Sequence, residues 1–139
     1  MNINDIQDEI IEEFSSFDDW MDRYSLLIEY GNGLDPFPEA DKTEQNLIDG
    51  CQSKVWFTAE MKNGKVHYHG DSDAILVKGI VALLIRVLSN HTPQEIVDSE
   101  LYFIDEINLR EHLSPIRSNG LNAMLKQMRL FALTYQAQS

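Results

Sequence analysis

The sequence is poor in basic residues and in cysteine, and both shortages exclude classes of protein. Eleven Lys and Arg stand against 23 Asp and Glu, which gives a formal net charge of −12. Because nucleic-acid binding depends largely on Lys and Arg that neutralise phosphates, this balance argues against a nucleic-acid partner, and equally against an anionic membrane surface. A single cysteine, Cys51, excludes an intramolecular disulfide and a cysteine-rich zinc module.

Long apolar runs are also missing. No segment approaches the roughly 20 apolar residues that a membrane-spanning helix needs. Residues 1–5 contain neither a basic region nor an apolar one, so we expect no secretory signal peptide. The chain has 139 residues, one domain's length, and is 43% hydrophobic, which is enough to fold alone. We therefore expect a single domain over residues 1–139, located in the reducing cytoplasm.

The negative charge is concentrated in the first part of the chain. Residues 1–50 hold fourteen Asp and Glu and two basic residues, whereas residues 51–139 hold nine of each sign. An acidic run is usually a solvated helix face that keeps a protein soluble. It also suits a docking surface for a basic patch on a protein partner, where it would act mainly on the association rate. The sequence leaves both interpretations open.

Apolar spacing predicts two helices at the start of the chain. Isoleucines and a phenylalanine recur at helical spacing over residues 4–14. A second helix is predicted from about Phe17, with Ser15 or Ser16 as its N-cap.

The middle of the chain favours a β-hairpin. Residues 54–61 and 66–70 are rich in aromatic and β-branched side chains and are separated by Asn63-Gly64, a pair typical of hairpin turns. Residues 47–50 are predicted as a third strand.

The second half of the chain is predicted to be helical. Residues 73–89 are apolar on most sides and indicate a central buried helix that includes Ile75, with Asp73 as its candidate N-cap. Residues 92–95 (TPQE) form a capping-box start for a further helix, and a last helix is predicted over 115–136. This order predicts an α+β fold, a small antiparallel sheet of about three strands packed against helices.

The residue with distinctive chemistry is Cys51, in the run DGCQSKVW at 49–56. It lies between a glycine and polar residues just before a strand, and such junctions present side chains to partners. A buried, inert thiol is the alternative interpretation, because free cysteine is among the most buried residue types.

Three segments resemble signatures of the SufE/CsdE family of sulfur-acceptor proteins. Residues 50–56 (GCQSKVW) resemble the family's cysteine loop, and DSDA at 71–74 with VKG at 77–79 resembles its second signature. The third, at the start of the last helix, is matched by Leu113-Ser114-Pro115, Arg117, Gly120-Leu121 and Met124. The matches run in order from about residue 20 to 130. Ile116 and Lys54 depart from the residues usual at their positions.

The resemblance implies a SufE/IscU-like fold and a sulfurtransferase-like accessory role. Cys51 would take persulfide sulfur from a PLP-dependent cysteine desulfurase of the SufS or CsdA type and stimulate that enzyme. It would then deliver the sulfur for iron–sulfur cluster assembly, to a scaffold complex of the SufBCD type or another acceptor. The protein itself would need no cofactor, since pyridoxal phosphate belongs to the desulfurase. Residues expected to support the cysteine are Gly50, Gln52, Ser53, Asp73 and Arg117.

The neighbours of Cys51 in the sequence do not favour a thiolate. A cysteine with ordinary pKa is only about 3% ionised at neutral pH, and the preceding segment is acidic. We therefore expect a protected thiol, packed against apolar residues until a partner binds. Asp73 either caps its helix or holds the cysteine loop, and Arg117 is either solvated or binds an anion near the loop. Val55 and Trp56 are expected in the core.

Three other functions fit parts of the sequence. His67 and His69 lie on one side of a predicted strand, as some metal ligands do, although an ordinary exposed hairpin face explains them too. A Cys–His hydrolase would use Cys51 as nucleophile and one of the four histidines as base. The third alternative is an acidic protein-docking module without thiol chemistry.

Overall fold

The computed structural model describes residues 1–113 and 115–138. Ser114, which belongs to the third signature, and Ser139 lie outside the described residues. Six helices, a two-stranded hairpin and three short 3₁₀ turns follow one another in the described part. The helices are α1 (Ile3–Ser15), α2 (Trp20–Asn32), α3 (Ile75–Leu88), α4 (Pro93–Asp98), α5 (Phe103–Glu106) and α6 (Pro115–Gln138). The strands are β1 (Val55–Lys62) and β2 (Lys65–Ser72). The 3₁₀ turns are Glu39–Asp41, Glu44–Asn46 and Arg110–His112.

Both N-terminal helices are present, but the cap of the second differs from the prediction. The side chain of Asp19 accepts a hydrogen bond from Met21 N at 2.9 Å and begins α2. The hydroxyls of Ser15 and Ser16 instead donate to carbonyls one turn back in α1, at 2.7 and 3.4 Å. Because α1 continues through Ser15, neither serine can cap the next helix, and the prediction of a serine cap was wrong.

The hairpin is confirmed, but in the described part of the chain the sheet has two strands rather than the predicted three. β1 and β2 pair antiparallel from Val55 opposite Ser72 to the turn at Asn63-Gly64, both of which have positive φ. The segment predicted as a third strand, 47–50, makes only an isolated bridge to β1. The chain leaves the sheet because Gly50 turns it with φ +92°. The predicted α+β class is confirmed.

The core lies where α3 packs against α2 and against the hairpin. A Cβ on Gly79 of α3 would lie 2.1 Å from the carbonyl oxygen of Leu27 on α2, so these helices touch backbone to backbone. Ile75, predicted in the core, is 60% exposed because its side chain points to solvent from the first turn of α3. Val55 and Trp56 are buried as predicted.

The remaining helix signals are confirmed as well. Thr92 and Glu95 form the predicted capping box of α4, with Pro93 at its start. The last helix covers the predicted 115–136 and two further residues. In the described part of the chain, no helix is long and apolar enough to cross a membrane.

Candidate functional site

Cys51 lies at the tip of a short closed loop that leads into β1. The loop is closed at its base by a hydrogen bond from Ile48 N to Val55 O at 2.9 Å. Gly50 has φ +92°, a conformation that residues with a Cβ rarely adopt, so a glycine directly before the cysteine makes the turn possible. The thiol is thereby directed at the helices and not along the sheet.

The end of this loop is tied to the segment that starts α3. Lys54 N donates to Asp73 Oδ1 at 3.0 Å, and Asp73 N donates to Lys54 O at 3.2 Å. The hydroxyl of Ser72 also donates to Lys54 O, at 2.8 Å, while accepting from Ala74 N at 3.2 Å. The side chain of Asp73 makes no capping hydrogen bond to α3, so the prediction that it caps this helix was wrong. Its carboxylate instead binds the end of the cysteine loop.

The thiol of Cys51 faces the place where α3 and α6 meet. Its Sγ atom is half-buried and donates a weak hydrogen bond to Gly120 O at 3.6 Å. Beside it is a cavity of about 20 Å³, room for one atom or group the size of a water molecule. The cavity is lined by Cys51, Gln52, Ser53, Val77, Ile80, Arg117, Gly120 and Met124.

Burial controls the ionisation of the thiol. Removal from water disfavours the charged thiolate and raises the pKa of Cys51 above its usual value. Arg117 lines the cavity from an exposed position on α6, and Gln52 is exposed beside the cysteine. In the resting protein Cys51 is therefore mainly a neutral thiol, sheltered on one side by apolar side chains.

The residues predicted to support Cys51 fall into two groups. Gln52, Ser53 and Arg117 line the cavity beside the thiol. Gly50 and Asp73 shape and anchor the loop without lining that cavity. Sequence reasoning gave Gly120 no role of its own, although the third signature contained it, because its contact with Cys51 spans 69 residues.

A cluster of charges surrounds Asp71, which lies near the end of β2. Asp71 faces two ammonium groups, Lys42 Nζ at 3.3 Å and Lys78 Nζ at 3.5 Å. Lys42 also lies over the ring of Trp56, 5.5 Å from its centroid. These contacts fasten the segment before the cysteine loop to the hairpin. Asp71 and Lys78 belong to the second signature, whereas nothing in the sequence indicated the contact with Lys42.

Three of the four histidines have partners away from Cys51. His69 contacts Glu60, His91 contacts the carbonyl of Met1, and His112 stacks on Trp20. No histidine is among the described residues that line the cysteine cavity. Across residues 1–113 and 115–138, no group of three or more His, Cys, Asp or Glu is placed to hold a metal ion.

Comparison with known proteins identifies the family. A family model described as SufE, Fe–S metabolism associated domain, matches residues 8–132. The chain belongs to the SufE family. An uncharacterised SufE-like protein of Synechocystis sp. is 44% identical over 127 residues, which cover 91% of this chain and 80% of that protein. The family match associates this chain with Fe–S metabolism.

A solved structure shares the fold. The solution structure of a hypothetical protein from Thermus thermophilus matches with a TM-score of 0.78 at 24% sequence identity, over 95% of this chain and 96% of that one. At this level of identity the likeness concerns the fold. It agrees with the α+β class inferred from the sequence.

Proposed function

We propose that this SufE-family protein is a sulfur acceptor that carries a persulfide on Cys51. The observation that carries the proposal is the thiol at the tip of a closed loop, with a cavity of about 20 Å³ beside it. That space suits one added sulfur atom and little more. Membership of a family associated with Fe–S metabolism supports the same chemistry.

The transfer is a thiol–disulfide type of displacement. The Cys51 thiolate attacks the outer sulfur of a persulfide on the desulfurase, and a new S–S bond forms as the donor S–S bond breaks. The donor cysteine leaves as a thiolate, which takes up a proton, and the proton of Cys51 passes to solvent or a base. The sulfane sulfur changes carrier, and no external oxidant or reductant is consumed.

The resting thiol has to be activated by the partner. Burial raises the pKa of Cys51, so few molecules hold the attacking thiolate at neutral pH. Docking on the desulfurase would draw the loop away from α6 and supply a more polar environment. The same burial shields a stored persulfide from oxidants and stray thiols.

The proposal includes the partners expected from the resemblance. A PLP-dependent cysteine desulfurase supplies the sulfur and is stimulated by its removal. An Fe–S scaffold complex or another acceptor receives it, in the cytoplasm. This chain would need no cofactor of its own, because the displacement at Cys51 uses the thiol alone.

The Cys–His hydrolase is the weaker candidate. Such an enzyme needs an imidazole within hydrogen-bond reach of the nucleophile, and the described polar contact of Cys51 is with the Gly120 carbonyl. The Cys51→Ser variant distinguishes a docking module without thiol chemistry from the sulfur acceptor.

The test is intact-mass spectrometry after incubation with a cysteine desulfurase and free cysteine. We expect a gain of one sulfur atom that a reductant reverses and that is absent in Cys51→Ser. If the active desulfurase adds no sulfur, the acceptor function is wrong. If Cys51→Ser still stimulates the desulfurase fully, the docking module is the better description.

A further inference from the structure

Gly120 of α6 is in direct contact with the reactive cysteine. Its carbonyl accepts the hydrogen bond from Cys51 Sγ. A Cβ placed on Gly120 would lie 3.3 Å from Sγ, 3.6 Å from Cα and 3.8 Å from Cβ of Cys51. The first of these distances is tighter than ordinary van der Waals contact. A side chain at position 120 would therefore force the thiol to shift by a few tenths of an ångström.

The backbone at Gly120 does not itself require glycine. The glycines with positive φ are Gly50 and Gly64, whereas Gly120 lies within α6. In a helix interior, glycine lowers stability relative to alanine by about 0.5–1 kcal/mol. Glycine at this position therefore does not favour the helix; its benefit is that the Cys51 thiol can come close to the backbone of α6.

We propose that Gly120 is a positioning residue, whose missing side chain lets the Cys51 thiol turn inward between α3 and α6. Its carbonyl then holds the thiol there, and the adjacent cavity stays open. The inward position lowers the reactivity of the free thiol toward solvent reagents. The second part of the inference rests on the proposed function: the outer sulfur of a Cys51 persulfide occupies that cavity and is shielded there.

The inference predicts two effects of Gly120→Ala that share one cause. The added methyl pushes Sγ outward, because the loop tip faces solvent on its other side and the thiol can rotate. The free thiol then reacts faster with alkylating reagents. A persulfide on the displaced cysteine also becomes more accessible, so its lifetime shortens.

The first measurement is the rate of Cys51 alkylation by iodoacetamide in the full chain. We expect Gly120→Ala to accelerate it roughly two- to tenfold, the range that corresponds to strain on one displaced side chain. Gly33→Ala is the matched control, because its Cβ would make only an ordinary 3.5 Å contact with Tyr30 O at the end of α2. If folded Gly120→Ala is alkylated at the wild-type rate, the positioning role is overturned, and this result does not depend on whether Cys51 carries sulfur.

The second measurement is the persulfide lifetime in dithiothreitol. This dithiol reduces the persulfide to the Cys51 thiol and hydrogen sulfide while it is oxidised to its cyclic disulfide. We expect the persulfide of Gly120→Ala to disappear several-fold faster than that of the wild type. Equal lifetimes would show that the cavity does not shield the outer sulfur. Absence of any persulfide on the wild type would count against the proposed function alone.

A second variant covers the case in which Gly120→Ala loses its folded circular-dichroism signal. Val77→Ile adds one methyl to the part of the cavity lining that α3 supplies and leaves Gly120 unchanged. We expect it to shorten the persulfide lifetime while the alkylation rate of the free thiol stays at the wild-type value. A wild-type persulfide lifetime in Val77→Ile would overturn the shielding role of the cavity.

Discussion

Lys54 and Asp73 are joined by a reciprocal pair of hydrogen bonds, 19 residues apart in the chain. Lys54 N donates to Asp73 Oδ1 at 3.0 Å, and Asp73 N donates back to Lys54 O at 3.2 Å. The pair links the end of the cysteine loop to the start of α3, the helix that carries Val77 and Ile80 of the cavity wall. The position of Cys51 relative to the helices therefore depends on this link.

Removing the Asp73 carboxylate is expected to loosen the cysteine loop. Asp73→Ala deletes one charge-assisted hydrogen bond at an exposed site, and should lower the free energy of unfolding by no more than about 1 kcal/mol. Alkylation of Cys51 should become faster, since the loop opens more often. Urea unfolding and iodoacetamide kinetics measure the two effects. Asp73→Asn, which keeps an oxygen acceptor, should lie closer to the wild type on both, and equal effects of the two variants would argue for a purely electrostatic role.

The reactivity of Cys51 should depend on pH differently from that of a free cysteine. Because burial raises the pKa of the thiol above its usual value, the alkylation rate should keep rising with pH beyond the midpoint of a cysteine peptide. The measurement is the iodoacetamide rate from pH 7 to pH 10.5, with a peptide of residues 48–55 as the reference. A midpoint at or below that of the peptide would contradict the sheltered thiol.

An ion pair between α1 and α3 is expected to make the free energy of unfolding depend on pH in the acid range. Arg86 donates to both carboxylate oxygens of Glu13, at 2.9 and 2.7 Å, and to Glu9 at 2.8 Å. The hydrogen bonds from Arg86, followed by that from Tyr30, hold the pKa of Glu13 below its usual value against the effect of burial. A lowered carboxyl pKa stabilises the fold above about pH 4.5, and this stabilisation is lost as the pH falls through the folded-state pKa.

Glu13→Gln tests this ion pair. At pH 7 we expect the free energy of unfolding to fall by about 1 kcal/mol, a modest figure because the pair is partly exposed. The difference from the wild type should shrink as the pH drops below 4.5. Thermal unfolding between pH 3 and 7 measures it. Glu12→Gln, at the neighbouring exposed position of α1, is the control, and the same pH response in both variants would contradict a specific role for Glu13.

The exposed Ile75 is expected to contribute to desulfurase binding, if the proposed function holds. It is 60% exposed at the start of α3, two residues after Asp73, which is bonded to the cysteine loop. A donor that reaches Cys51 has to approach this surface, and burying an apolar side chain there favours binding. Ile75→Asp should raise the KM of the desulfurase for this protein on the order of tenfold, with little change in kcat.

Steady-state desulfurase assays with increasing acceptor protein provide that measurement. Met21→Asp is a suitable control, because Met21 is 69% exposed on α2 and is not among the cavity-lining residues. Equal effects of the two substitutions would indicate a general influence of the added charge. An unchanged KM in Ile75→Asp would place the contact surface elsewhere.

Local patterns explain how much of the fold could be predicted. The helix periods, the Asn63-Gly64 turn and the Thr92 capping box act within a few residues, and each was correctly located. The prediction of serine caps was wrong because α1 continues through Ser15. The prediction of a third strand was wrong because Gly50 turns the chain out of the sheet.

The sequence by itself determined the α+β class and the family, and it singled out Cys51 as the candidate reactive residue, since motifs and periodicity reside in consecutive residues. Tertiary structure alone decided the environment of that residue. Cys51 meets the Gly120 carbonyl across 69 residues, and Asp73 holds the loop instead of capping its own helix. Burial, and with it the raised pKa of the thiol, depends on how α3 and α6 pack, which no local pattern encodes.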